Sequence, residues 1–292
     1  MFNLNLQNNI KDTNMSSNSV CIIQTDDSDF YTKKIISESD LILNKKLLIT
    51  EIEGNQLNGE KIIINCGGML NGKRNKRDGI ALFGVSANDS NDIDKLINTN
   101  NSNDFVFNLK TSNGNNNHLF FIYFSTEKKR YYIRLFHNAN SFNTNNYYPS
   151  LSLFLIKINS NYAIKETEYF MIGDLFFCIK PDYTKISVSK FKTKNSSIET
   201  EKEFIYNSEA NSFTIGRSSE CDFSFPYDKS FSKVHCTLMY NKKDMQWNIF
   251  DGNLTKKSTN GIWLVPKRSF EVYDGMNFKI LGCTKCEVRI KD

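Results

Sequence analysis

A repeat of domain size constrains this chain more than any other feature. Ile80-Ala81-Leu82-Phe83-Gly84-Val85-Ser86 ends a strand in the same way as Phe213-Thr214-Ile215-Gly216-Arg217-Ser218. Asp104-Phe105-Val106-Phe107 is then matched by Asp222-Phe223-Ser224-Phe225. His118 opens Leu119 to Phe124 as His235 opens Cys236 to Tyr240, and Tyr131 to Phe136 runs like Trp247 to Phe250. Phe170-Met171-Ile172-Gly173 has its counterpart in Phe278-Lys279-Ile280-Leu281-Gly282. Self-similarity on this scale predicts tandem domains, because solenoid repeats have far shorter periods. The units are short strand-like runs separated by frequent turns, with no long helical periodicity between them, which predicts β-sandwiches. The 23 Phe and 13 Tyr among 292 residues favour strands as well.

The pattern divides the chain into three parts. Residues 1–40 are rich in Asn and Ser around one apolar island, Val20-Cys21-Ile22-Ile23, and are expected to form a mobile tail. Residues 41–180 form the first expected sandwich and residues 181–292 the second, with Ile186 to Phe191 as its first strand. The join near Pro181 is only a few residues long, so the two sandwiches are expected to pack as a unit.

Several function classes find little support. The formal charge of +5 fits a binder of acidic or phosphorylated peptides, though it is common without any anionic ligand. Lys73, Arg74, Lys76 and Arg77 crowd one turn, and such runs are usually solvated, so no nucleic-acid partner is expected. No apolar run approaches the roughly 20 residues of a membrane-spanning helix, and the N-terminus lacks the pattern of a secretion signal. Seven scattered cysteines argue for reduced thiols and an intracellular location. Cys283-Thr284-Lys285-Cys286 has no second ligand pair nearby, so it reads as a terminal hairpin; no metal and no cofactor are expected. The absence of a nucleophile–base pair or paired carboxylates points away from an enzyme.

The chemistry gathers between Ser212 and Gly261. Ile215-Gly216-Arg217-Ser218, Phe231-Ser232-Lys233-Val234-His235 and Ser258-Thr259-Asn260-Gly261 stand at junctions between apolar runs. An Arg fork with hydroxyl donors, at loops along one edge of a sandwich, suits recognition of a small anion such as phosphate. The ordered blocks G-R, S-x-x-H and S-x-N-G resemble the forkhead-associated (FHA) domain, a phosphothreonine-binding module.

That resemblance implies two packed antiparallel sheets with about eleven strands per domain, an all-β fold. It also implies roles for particular residues. Arg217 and Ser232 would hold the phosphate, with Lys233 adding charge beside them. Thr259 would help to hold the phosphothreonine, and Asn260 would bond the peptide backbone. Gly216, His235 and Gly261 would support the loops, the histidine as a buried hydrogen-bonding post. Ordinary turn chemistry also accounts for Ser-Thr-Asn-Gly. Ile262 departs from the Thr that commonly follows this Gly, and its side chain is expected to point inward.

The first copy has Val85 where the second has Arg217, and Asn115 where it has Ser232. Tyr148-Pro149-Ser150-Leu151 lies where S-x-N-G should be. A copy without the Arg loses its main charge partner for an anion, so the first sandwich is expected to serve in packing or docking. Two readings of the whole follow. One is a non-catalytic adaptor whose partner is a threonine-phosphorylated protein. The other is a fixed structural subunit of a large assembly, docking independently of phosphate.

Overall fold

The computed structural model describes residues 36, 39, 41, 45–72, 78–87, 103–111, 118–135, 154–159, 161–191, 198–207, 211–267, 269–280 and 284–292. Apart from the helical residues Ser39 and Leu41, its regular elements are strands. Eight precede residue 160: β1 (Lys46–Glu53), β2 (Ile62–Asn65), β3 (Gly68–Met69), β4 (Ile80–Ala87), β5 (Phe105–Thr111), β6 (His118–Ser125), β7 (Arg130–Leu135) and β8 (Phe154–Ile158). Then come β9 (Asn161–Ile164), β10 (Glu168–Ile172), β11 (Leu175–Asp182), β12 (Lys185–Phe191) and β13 (Ile198–Ile205). The rest are β14 (Ser212–Gly216), β15 (Phe223–Ser224), β16 (Cys236–Asn241), β17 (Gln246–Asp251), β18 (Ile262–Val265), β19 (Phe270–Glu271), β20 (Met276–Ile280) and β21 (Thr284–Lys291).

The strands enclose two hydrophobic cores. Around the second core, β18-β10-β11-β12-β13 faces β15-β14-β16-β17-β9. Around the first, β8-β20-β21-β1-β2 faces β5-β4-β6-β7-β19, the two joined through β3. The two paths are the same, strand for strand, down to the parallel pairs β4–β5 and β14–β15. Phe83 stands opposite Phe105 as Ile215 stands opposite Phe223. Alternation sets the inward face throughout: in β10, Phe170 and Ile172 point to the core, and in β20, Met276, Phe278 and Ile280 do so.

The cores do not follow the expected boundary at residue 181. The second is built from a continuous stretch, β9 to β18, and is nested inside the first, which consists of β1 to β8 and the C-terminal β19 to β21. Thus Phe170, Ile172, Phe177 and Ile179, expected upstream of the boundary, lie in the second core. Phe278, Ile280, Cys286 and Val288, expected in the second sandwich, lie in the first. The likeness that reveals the repeat also explains this exchange. The hairpins β10–β11 and β20–β21 present the same kind of alternating apolar face, so either can complete either core. The exchange runs through short links, residues 159–160 and 266–269.

The join near Pro181 is accordingly a hairpin turn within one core. β11 pairs with β12 across it. What ties the halves together is β8 against β18, with Ile158 opposite Ile262, Lys157 opposite Trp263 and Ile156 opposite Leu264. The expected tail differs too. Ile36 is only 7% exposed and packs in the first core, while residues 1–40 other than Ile36 and Ser39 lie outside the described residues.

Candidate functional site

The three motif blocks converge at one end of β14, β16 and β18, and hydrogen bonds fasten them to one another. Gly216 ends β14, and the Arg217 N–H donates to the Ser232 carbonyl at 2.8 Å. The Ser218 N–H donates to the Lys233 carbonyl at 2.9 Å. This close approach requires glycine: a Cβ on Gly216 would stand 2.3 Å from the Lys233 carbonyl oxygen. It leaves the side chains of Arg217 and Lys233 exposed on the same rim.

His235 is the post between the second and third blocks. It is fully buried, and its Nδ1 accepts the Ser232 N–H at 3.2 Å. With Nδ1 accepting, the proton sits on Nε2, which donates to the Gly261 carbonyl at 3.1 Å. Burial is the main cause that holds the imidazole below its ordinary pKa of 6.5, and the bond to Gly261 opposes it. The ring is therefore a neutral strut. Gly261 adopts a φ of +72°, a left-handed conformation that suits glycine at this turn.

The hydroxyls and the amide have spare capacity aimed outward. Ser232 Oγ accepts the Thr259 N–H at 3.0 Å and donates to Thr259 Oγ1 at 3.4 Å. The second bond is long, so the Ser232 hydroxyl proton can turn from it toward an incoming oxygen. Asn260 Nδ2 donates to the Ser230 carbonyl at 2.9 Å, which fixes the amide and leaves its Oδ1 as an acceptor. The five residues expected to contact ligand thus sit on three adjoining loops, Arg217 after β14, Ser232 and Lys233 before β16, and Thr259 and Asn260 before β18, bridged by the Arg217–Ser232, Ser232–Thr259 and Ser230–Asn260 contacts.

Several supporting residues escaped the sequence reading. Asp251 accepts from Ser258 Oγ at 2.6 Å, and Ser258 Oγ in turn accepts the Gly261 N–H at 2.9 Å. Ser230 Oγ accepts the Asp174 N–H at 3.0 Å, which binds the loop to the turn between β10 and β11. Ser258 and Asp251 stood within the motif neighbourhood, so their pairing was open to a closer reading. Asp174 was not, because only the exchange of hairpins brings it here. Ile262 is fully buried in the second core, in line with its expected inward orientation.

The first half differs at the equivalent end. Val85 continues β4 opposite Phe107, and His118 is already in β6, opposite Gly84 across a bulge. His235 by contrast precedes β16 and so is free to reach both loops. The side chains of Val85 and His118 lie outside the described residues, as do Asn115, Tyr148 to Leu151, and Lys73 to Arg77. Cys283 does also, while Cys286 is buried in the first core with its thiol pushed up to about 12 by burial. Among the described residues no cluster of three or more His, Cys, Asp or Glu side chains could hold a metal ion. No described helix is long and apolar enough to cross a membrane.

The loops thus carry exposed cations and hydroxyls over a neutral buried imidazole at one end of a β-sandwich. The FHA domain family model matches residues 213–280, so one FHA domain lies in that stretch, and FHA domains bind phosphothreonine-containing proteins and are generally non-catalytic. No curated protein and no solved structure matches the chain. The matched stretch crosses between the cores, since β14 to β18 belong to the second and β20 to the first.

Proposed function

We propose that this protein is a non-catalytic adaptor that binds a threonine-phosphorylated partner through the loops around Arg217, Ser232, Lys233, Thr259 and Asn260. The observation that carries this reading is the His235 strut. It joins the Ser232 loop to the Gly261 loop without using any of the five outward groups, so the site is built before ligand arrives and loses little freedom on binding. Arg217 and Lys233 supply charge to a phosphate that carries about −1.5 to −2 at neutral pH. Ser232 and Thr259 supply hydroxyls, and Asn260 Oδ1 receives a peptide N–H.

The first half, in this reading, is a second copy of the same scaffold released from phosphate binding, with Val85 in place of the Arg. Its contribution is structural: it encloses the second core in sequence and shares a sheet with it through β8 and β18. Screening a phosphothreonine peptide library against the full chain and Arg217→Ala tests the proposal. Binding to phosphothreonine peptides, lost both on dephosphorylation and in the variant, is the expected result. Equal binding of Thr, phosphothreonine and the variant would refute it.

A further inference from the structure

The hairpin exchange places two lysines of the first half beside the loops of the second. Lys157 on β8 lies against Gly261: a Cβ there would come 2.5 Å from Lys157 Cε. Lys279 on β20 holds its Nζ 4.2 Å from the centre of the Trp263 ring, and Lys157 Nζ lies 5.9 Å from the same centre. The Trp263 indole N–H donates to the Asn260 carbonyl at 2.9 Å. One ring therefore connects both ammonium groups to the residue read as the peptide-backbone contact. Both lysines are half-buried, and neither forms an ion pair among the described residues.

This arrangement has an electrostatic cost that an anion would relieve. Burial, followed by the nearby Lys285, lowers Lys279 to about 8, with Lys157 adding to the repulsion. Asp174 and Glu53 act the other way, but Glu53 is engaged directly by Lys285. Two cations over one aromatic face, with Asp174 as the nearby carboxylate, carry more positive than negative charge and resemble the half of an ion cluster whose remaining counter-charge comes from outside.

We propose that Lys157 and Lys279 form a second anionic subsite, which takes an acidic or phosphorylated side chain of the same partner that presents the phosphothreonine. The proposal rests on the phosphothreonine reading of the Arg217 loops. Gly261 lies two residues past Thr259. Two residues of chain span at most about 7 Å, so an extended ligand, rising about 3.3 Å per residue, comes within reach of Lys157 roughly two to four residues from its phosphothreonine. The subsite also gives the first half a part in recognition: its strands deliver charge to a site whose loops belong to the second.

The test uses the full chain and peptides with one phosphothreonine, alone or with a phosphoserine stepped two to four positions away on either side. On wild type, one stepped series binds about tenfold tighter than the singly phosphorylated peptide. Lys157→Met with Lys279→Met keeps the aliphatic arms over Trp263 and removes both charges. It leaves singly phosphorylated binding within about twofold and abolishes the gain, while Lys→Arg at both positions retains it. No gain at any spacing on wild type, or a gain that survives the double Met variant, overturns the subsite. Failure of the underlying reading looks different: the singly phosphorylated peptide then does not bind at all, or binds Arg217→Ala equally. A matched thermal unfolding curve shows that the variants are folded.

Discussion

The two halves share a frame and differ at one end of it. Strand order, parallel pairs and the Phe83–Phe105 and Ile215–Phe223 registers coincide. Yet Gly216 hands over to an exposed Arg217, whereas Gly84 hands over to Val85 inside a longer strand. β4 continues to Ala87 and β5 to Thr111, so backbone pairing takes up residues that the second half releases as loop. The difference lies in how early each strand stops, since stopping early frees backbone donors that a longer ladder would consume.

The comparison breaks most sharply through the exchanged hairpins. Phe170 and Phe278 hold equivalent places on β10 and β20, both fully buried, but in opposite cores. Truncating either to Ala costs about 3–5 kcal/mol of stability. Phe278→Ala should weaken hydrogen-exchange protection in β1, β4 and β6, and Phe170→Ala should weaken it in β14, β16 and β17. Only Phe170→Ala should erode the loops around Ser232, although its position lies upstream of the boundary expected at residue 181. Protection lost in the reverse halves would mean that the cores divide at that boundary after all.

Arg217→Val installs the residue of the first half in the second. Phosphothreonine-peptide affinity, measured by calorimetry, should fall by about 100-fold, the loss of a charge-assisted Arg–phosphate contact. The melting temperature should stay unchanged, because the side chain is exposed. An affinity that survives would place the phosphate elsewhere.

Gly216→Ala sharpens the same contrast at the backbone. The added methyl must push the Lys233 carbonyl, 2.3 Å away, so the Ser232 loop shifts or the strand strains. A destabilisation of about 1–3 kcal/mol in denaturant unfolding is expected, with weakened peptide binding beside it. Binding at full strength would show that the loop tolerates a displaced Ser232.

Much of this was legible in the sequence, and the reasons differ by feature. All-β structure and the inward faces were readable because alternation is local: Phe170 and Ile172, or Phe278 and Ile280, declare their face whichever core they fill. The clustering of Arg217, Ser232, Lys233, Thr259 and Asn260 was readable because short strands and loops bring their blocks back to one end of the sandwich. The exchange was not readable, because two hairpins with interchangeable faces leave pairing undetermined until the links at 159–160 and 266–269 choose it. Asp174 at Ser230, and Lys157 and Lys279 at Trp263, depend on that choice and inherit its invisibility.

The smallest expected effect concerns His235 and separates it from the surface histidine of an ordinary turn. Burial holds its folded-state pKa below the 6.5 of an unfolded chain. As pH falls through 6.5, the unfolded chain takes up a proton that the folded imidazole refuses, so stability present above that pH is lost on acidification toward the folded value. The geometry gives the same sign. Protonated Nδ1 no longer accepts the Ser232 N–H, so the strut between the two loops fails on one side. Melting of the peptide-free chain between about pH 7.5 and 5.5 should therefore show a decline that flattens in His235→Gln. If both chains decline with the same slope, His235 titrates as an exposed residue does, and its strut is not what holds the loops of the second half.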